Sequence, residues 1–230
     1  IVQSLVGSEM CIRDSGKDSM KNDYGSGPDK ISIPPTLLFS LFGDHPDVRK
    51  SATSDFKFAG DRIYLVGSSK QELGASELAF MLTESGEAAG VGGDVPRLLD
   101  PEENLNTYRS LSACIRAGWV RTAHDCSEGG VAVALAEMCI GGRIGAVVDI
   151  DGTGDGDVWG RLWGESLGRF IVAVSSEHEG SFLDAMRGHP TTVLGHVQTE
   201  ATLVITDGDD SLIAAEVESC LLYTSDAADD

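Results

Sequence analysis

Apolar positions along this chain switch between two periods. Short β-rich runs predict strands over Arg62–Val66, Gly118–Thr122, Ile144–Ile150 and Arg169–Ser175. Two more strands, Thr192–Gln198 and Thr202–Thr206, are expected to finish the chain around a tight turn. Pro34 and Pro35 suit the opening of an earlier strand over Thr36–Phe42, because proline is tolerated at a strand's first residue. Between these runs the spacing turns helical. Val131, Leu135, Met138 and Cys139 recur at i, i+4, i+7 and i+8. Leu105, Tyr108, Leu111 and Ile115 form a second stripe, read as core rather than as part of a cofactor site. Its helix starts at Asp100-Pro101-Glu102-Glu103, which supplies a cap, a first-turn proline and capping-box glutamate, and it stops at Gly118. A helix over Glu177–Arg187 turns Phe182, Leu183 and Met186 inward. Leu73–Glu77 leads into another through Thr83, with Ser76 as its cap or as a ligand contact. Strands and helices interleave, so the expected fold class is α+β: a mixed β-sheet with packed helices.

The stretch from Ala123 to Gly130, Ala-His-Asp-Cys-Ser-Glu-Gly-Gly, falls where a strand ends and a helix begins. Ser127 is the expected N-cap, its hydroxyl accepting from the first free amides. Gly129 and Gly130 lack side chains, which lets another group approach the backbone. Free amides and the helix dipole favour an anion there, phosphate above all. Asp125 is a hard oxygen ligand of the kind Mg²⁺ takes beside phosphates. The plainer reading is a capped helix with Asp125 bracing the turn.

Other motifs are weaker in context. Gly16-Lys17-Asp18-Ser19 lacks the Gly-Lys-Ser/Thr of a phosphate-binding loop. Gly90-Val91-Gly92-Gly93 has neither the strand before nor the helix after that dinucleotide binding requires. Asp149, Asp151, Asp155 and Asp157 suggest a calcium loop, but Gly160 or Leu162 stands where its closing glutamate belongs, so a solvated loop is expected. Gly164-Glu165-Ser166-Leu167-Gly168 matches a nucleophile elbow, yet a strand follows it where an elbow needs a helix. Asp184 and His189 carry no supporting triad pattern.

Composition narrows the classes. The chain has 230 residues, enough for one sizeable core. Its formal charge of −20 argues against nucleic-acid or anionic-membrane surfaces, and any phosphate ligand would need a metal ion, amides or local cations. The five cysteines, Cys11, Cys114, Cys126, Cys139 and Cys220, show no C-x-x-C, so a reducing cytoplasmic setting is expected. No apolar run reaches membrane-spanning length.

The run from His124 to Glu137 resembles the second half of phosphoribosylformylglycinamidine synthase, an ATP-dependent ligase of purine biosynthesis in the aminoimidazole-ribonucleotide synthetase superfamily. Gly16–Met20, Ile33–Leu38 and Gly164–Phe170 are similar to other family motifs, in the family's order. The resemblance implies a carboxy-terminal synthetase domain over 34–218 and the trailing edge of its amino-terminal neighbour over 16–33. It implies ATP or ADP and Mg²⁺ as ligands, with Asp125 as the metal-binding aspartate and Ser127 contacting nucleotide, and it keeps Gly129, Gly130, Glu165 and Ser166 as nucleotide-side candidates. Gly16 and Ser19 would lie on the substrate side. His124 is read as a packing or hydrogen-bonding residue, not a general base. In larger enzymes of the family Asp125 and Ser127 would fall in a second, structural nucleotide site.

The family pattern leaves out residues 1–15 and 219–230, which look like translated sequencing-adapter tails; without them the chain stays acidic. It also implies partners: the missing amino-terminal half with its catalytic histidine, a glutamine amidotransferase subunit or domain, and formylglycinamide ribonucleotide. Alone, this chain is expected to lack synthase activity. Two alternatives remain: a nucleotide-binding or structural module without chemistry, and another synthetase of the superfamily, for aminoimidazole ribonucleotide or selenophosphate.

Overall fold

The computed structural model describes residues 25, 27–31, 45, 47–86, 92–98 and 100–219. Gly16, Ser19, the strand expected over 36–42, the tail at 1–15 and all but the first residue of 219–230 lie outside them. The chain divides into two compact units, Ile1–Val48 and Arg49–Asp230. In the first, a 3-10 turn runs Gly27–Asp29.

The second unit is built on one sheet. Its strands are β1 (Arg62–Val66), β2 (Val120–Asp125), β3 (Gly145–Asp149), β4 (Phe170–Val174), β5 (Thr191–Gln198), β6 (Thr202–Asp207) and β7 (Asp210–Glu216). They lie in the order β2-β4-β1-β5-β3-β6-β7. Every pairing is antiparallel except β3 with β6. The helices are α1 (Glu77–Glu84), α2 (Pro101–Arg116), α3 (Gly130–Gly142), α4 (Val158–Trp163) and α5 (Glu179–Ala185).

Alternation along the central strands creates two cores. Ile63 and Leu65 of β1, with Ile171 and Ala173 of β4, face Val131, Leu135, Met138 and Cys139 of α3 and Leu162 of α4. Tyr64 and Val66, with Val172 and Val174, face Leu111 and Cys114 of α2, Phe182 of α5 and Met186, which caps the end of α5. The sheet is thus covered by helices on both faces over β4 and β1. The expected mixed sheet with packed helices is the observed fold.

Two expectations fail on non-local packing. The last two expected strands form but do not pair with each other; β3 runs between them, and β7 is a further strand hydrogen-bonded to β6. Gly145 makes the insertion possible, since a Cβ there would sit 2.1 Å from the Glu200 carbonyl oxygen and 2.2 Å from that of Thr202. Leu183 was expected inward but is 44% exposed. The short α5 buries Phe182, and its C-cap Met186 fills the rest of that narrow stripe.

Candidate functional site

Asp125 closes β2, and its side chain is 62% exposed. Its Oδ2 accepts a short hydrogen bond from the Ser127 hydroxyl. That bond is the main reason the carboxyl is held below the usual carboxylate range, so Asp125 is ionised at neutral pH. Ser127 was expected to cap the following helix; it does not. Gly129 holds the N-cap position at φ +72° with no side-chain cap, and the Ser127 hydroxyl is committed to Asp125 instead.

The glycine pair serves packing inside the protein. A Cβ on Gly130 would lie 2.6 Å from the Gly164 carbonyl oxygen and 2.7 Å from that of Leu162. The space left by the missing side chain is therefore taken by backbone after α4. The Gly129 amide donates to Glu165 Oε1 at 3.0 Å, so the acceptor at the helix start is a carboxylate of the chain itself. Gly129 and Gly130 are both buried.

A cleft of about 410 Å³ opens beside this turn. Pro96, Tyr108, Leu167 and Phe170 form an apolar wall, with the Tyr108 and Phe170 rings edge to face at 5.5 Å. Asp125, Ser127, Glu128 and Glu165 form an acidic rim. Tyr108, read from sequence as pure core, is half-buried and divides its surface between α2 packing and this wall. The aromatic wall carried no local sequence signal, because Phe170 and Tyr108 are far apart along the chain.

Arg169, also missed, supports the floor. It is 1% exposed, and its guanidinium donates to the carbonyls of Ser166 and Gly164 and to the Ser69 hydroxyl. Burial pushes its pKa down. The adjoining Cys126 thiol is raised to about 12, chiefly by burial, so it is no nucleophile. The one available signal was an arginine opening an otherwise apolar strand.

Ser166 does not join the rim. It is 1% exposed and its hydroxyl accepts from the Lys70 amide at 3.1 Å. The nucleophile-elbow reading fails with it: β4 follows, His189 is bonded to Thr107 and Ser110, and Asp184 pairs with Arg187. His124 meets the Asp125 carbonyl oxygen through Nδ1 at 2.7 Å and Glu137 through Nε2 at 3.2 Å, a hydrogen-bonding role. The aspartates after β3 brace their own loop. Asp157 caps α4, Asp149 accepts from the Asp151 and Gly208 amides, and Asp151 and Asp207 pair with Arg161.

Among the described residues no group of three or more acidic, His or Cys side chains is arranged to hold a metal. One exposed, ionised carboxylate fits the other mode: Mg²⁺ that keeps waters and phosphate oxygens as its remaining ligands. With an acidic rim and one buried arginine, the cleft would need such a cation before it accepted a polyphosphate.

Residues 59–208 match the family model described as AIR synthase related protein, C-terminal domain. The chain is 38% identical over 186 residues to the phosphoribosylformylglycinamidine synthase subunit PurL of Deinococcus radiodurans, covering 78% of this chain and 24% of that protein. It therefore spans about a quarter of the length of that relative. The structure of Thermotoga maritima PurL complexed with FGAR superposes with a TM-score of 0.63 at 21% identity, over 75% of this chain and 29% of that one. The same protein complexed with ATP gives 0.58 at 20% identity, over 74% and 27%. At such identities the structural likeness is one of fold.

Proposed function

This chain belongs to the AIR synthase related protein family by its C-terminal domain, and on that premise we propose that it is part of a longer phosphoribosylformylglycinamidine synthase. The whole enzyme would join formylglycinamide ribonucleotide and ammonia from glutamine at the expense of ATP. ATP would phosphorylate the formamide oxygen, and ammonia would then displace phosphate to leave the amidine. Residues 34–218 would form the carboxy-terminal domain and 16–33 the end of its neighbour, with Gly16 and Ser19 toward substrate. The missing amino-terminal half and a glutamine amidotransferase would be its partners. The setting would be cytoplasmic; among the described residues no helix is long and apolar enough to cross a membrane.

The role assigned to this chain is to hold a nucleotide in the cleft beside β2. The observation that carries it is the pairing of an exposed, ionised Asp125 and its Ser127 partner with an aromatic wall across one cleft. Asp125 would hold Mg²⁺, whose contribution is to neutralise charge on the phosphates. Ser127 would keep that carboxylate ionised and oriented. Tyr108 and Phe170 offer a face or edge for a base.

A binding and assembly role for this cleft is favoured over turnover. Among the described residues the groups with nucleophilic or general-base chemistry are committed to other contacts: Cys126 and Ser166 are buried, the Ser127 hydroxyl is bonded to Asp125, the Glu165 carboxylate takes two backbone amides, and His124 meets the Asp125 carbonyl and Glu137. The chain alone should therefore not turn over formylglycinamide ribonucleotide, and amidine formation by the purified 230-residue chain would refute that. Calorimetry with ADP and Mg²⁺ tests the site. Asp125→Ala should weaken binding by about tenfold or more, in line with loss of a charged ligand interaction. Equal affinity in wild type and variant would remove Asp125 as a ligand.

A further inference from the structure

Glu165 sits at a junction that ligand contact does not explain. Its Oε1 accepts from two backbone amides, Glu77 at 2.9 Å and Gly129 at 3.0 Å. These are the first residue of α1 and the N-cap of α3. One carboxylate oxygen thus satisfies an amide at each of two helix starts, where negative charge is also favoured by both dipoles.

The helices need that acceptor for different reasons. α3 has a glycine in the left-handed region at its cap and no side-chain cap of its own. α1 has no fully buried side chain, with Leu78, Ala79 and Leu82 half-buried, so polar ties at its first turn carry weight in holding it. There Ser76 caps Ala79 at 3.2 Å, and Glu165 holds the neighbouring Glu77 amide. Glu165 itself is fixed from beneath. Its amide donates to the Glu72 carbonyl at 3.1 Å, Ser166 takes the Lys70 amide, and Arg169 binds the carbonyls of Ser166 and Gly164.

We propose that Glu165 is a positioning residue, a carboxylate clamp that fixes α1 and the Ser127–Gly129 turn relative to each other and so sets the cleft's rim. It acts on bound nucleotide through the turn that carries Asp125 and Ser127, not by touching metal or phosphate. The ligand half of this inference rests on the cleft being the nucleotide site proposed above; the clamp itself does not.

Two readouts on the 230-residue chain separate these parts: amide hydrogen exchange, and calorimetry with ADP and Mg²⁺. Glu165→Ala should raise exchange at Glu77 and Gly129 by about tenfold or more and weaken ADP–Mg²⁺ by about tenfold, as expected for lost charge-assisted bonds. Glu165→Gln keeps an oxygen that can accept both amides, so it should recover most of both losses. Wild-type exchange rates in Glu165→Ala would overturn the clamp. Glu165→Gln with protected amides but affinity as poor as Glu165→Ala would also overturn it, because the charge would then be acting on the ligand. Should Glu165→Ala not fold, Glu165→Asp, too short to reach both amides, takes its place with the same outcomes. Absence of ADP–Mg²⁺ binding in wild type would sink the nucleotide reading, and hydrogen exchange alone would then decide the clamp.

Discussion

The Tyr64 hydroxyl donates to the Glu179 carboxylate, tying the centre of the sheet to the first turn of α5. Arg62 Nε reaches the same oxygen at 3.4 Å, and the Tyr64 ring lies 5.2 Å from Phe182. Burial first, and then the Glu179 bond, raise the Tyr64 pKa to about 12. The folded state therefore holds the phenol proton more tightly than the unfolded chain. Its stabilising effect is complete below about pH 10 and is lost as pH climbs towards the folded value. Tyr64→Phe should cost roughly 1.5–3 kcal/mol near neutrality, as for a bond to a charged group. Urea midpoints for wild type should then fall faster than those for Tyr64→Phe between about pH 10 and pH 12. Parallel curves would contradict this.

Gly130 permits contact between two backbones. It has φ +64°, and an added Cβ would strike the carbonyl oxygens of Gly164 and Leu162. Neither obstacle is the end of a flexible side chain. Gly130→Ala should destabilise by more than about 2 kcal/mol, combining left-handed strain with the displacement of α4's trailing backbone. Chemical denaturation measures it, and a cost near that of a surface substitution would show that the segment yields.

The short bond from Ser127 to Asp125 predicts a change in titration. Ser127→Ala removes the largest cause holding the Asp125 carboxyl down, so its pKa should move up towards the ordinary value. The sign for a depressed carboxylate is the reverse of that for Tyr64. Its contribution is present above the unfolded pKa and lost as pH falls through the folded one. The effect is confined to acid, below about pH 4. Carbon-detected NMR of the carboxyl group reads the shift directly, and an unchanged titration in Ser127→Ala would remove the hydroxyl as its cause.

Arg169 distributes its donors over two carbonyls and a hydroxyl while almost wholly buried. A lysine has no planar fork to serve three acceptors in different directions. Arg169→Lys should therefore lower stability by about 2 kcal/mol or more, by leaving buried acceptors unpaired. Thermal unfolding tests this, with a loss below about 0.5 kcal/mol as the contrary result.

What the sequence disclosed follows the range of the forces involved. The start of α2 was readable because Asp100, Pro101 and two glutamates act within one turn; Asp100 accepts from both glutamate amides as expected. The strands at Arg62–Val66 and Arg169–Ser175 were readable because each is a short, nearly continuous apolar run, and both prove buried on both faces of the sheet. Strand pairing was not, since β3 entering between β5 and β6 depends on Gly145 passing Glu200 and Thr202. β7 was overlooked because Asp210, Ser211, Ala214 and Glu216 are exposed and only Leu212, Ile213 and Ala215 are half-buried, so the run carries little apolar signal. At the site, the sequence located Asp125, Ser127 and Glu165, which line one cleft. It misjudged Ser127 as a helix cap, since nothing local announces that a residue 36 positions later will take the Gly129 amide.

The strand order has a consequence for how the chain comes together during synthesis. Among the described strands, β6 with β7 is the one pairing between sequence neighbours. β1 pairs with β4 and β5, more than a hundred residues downstream. A growing polypeptide would carry β1 without either partner until Phe170–Val174, and then Thr191–Gln198, had left the ribosome. Such distant closures fold slowly, and until they form an apolar ribbon with open edges is exposed to neighbouring chains.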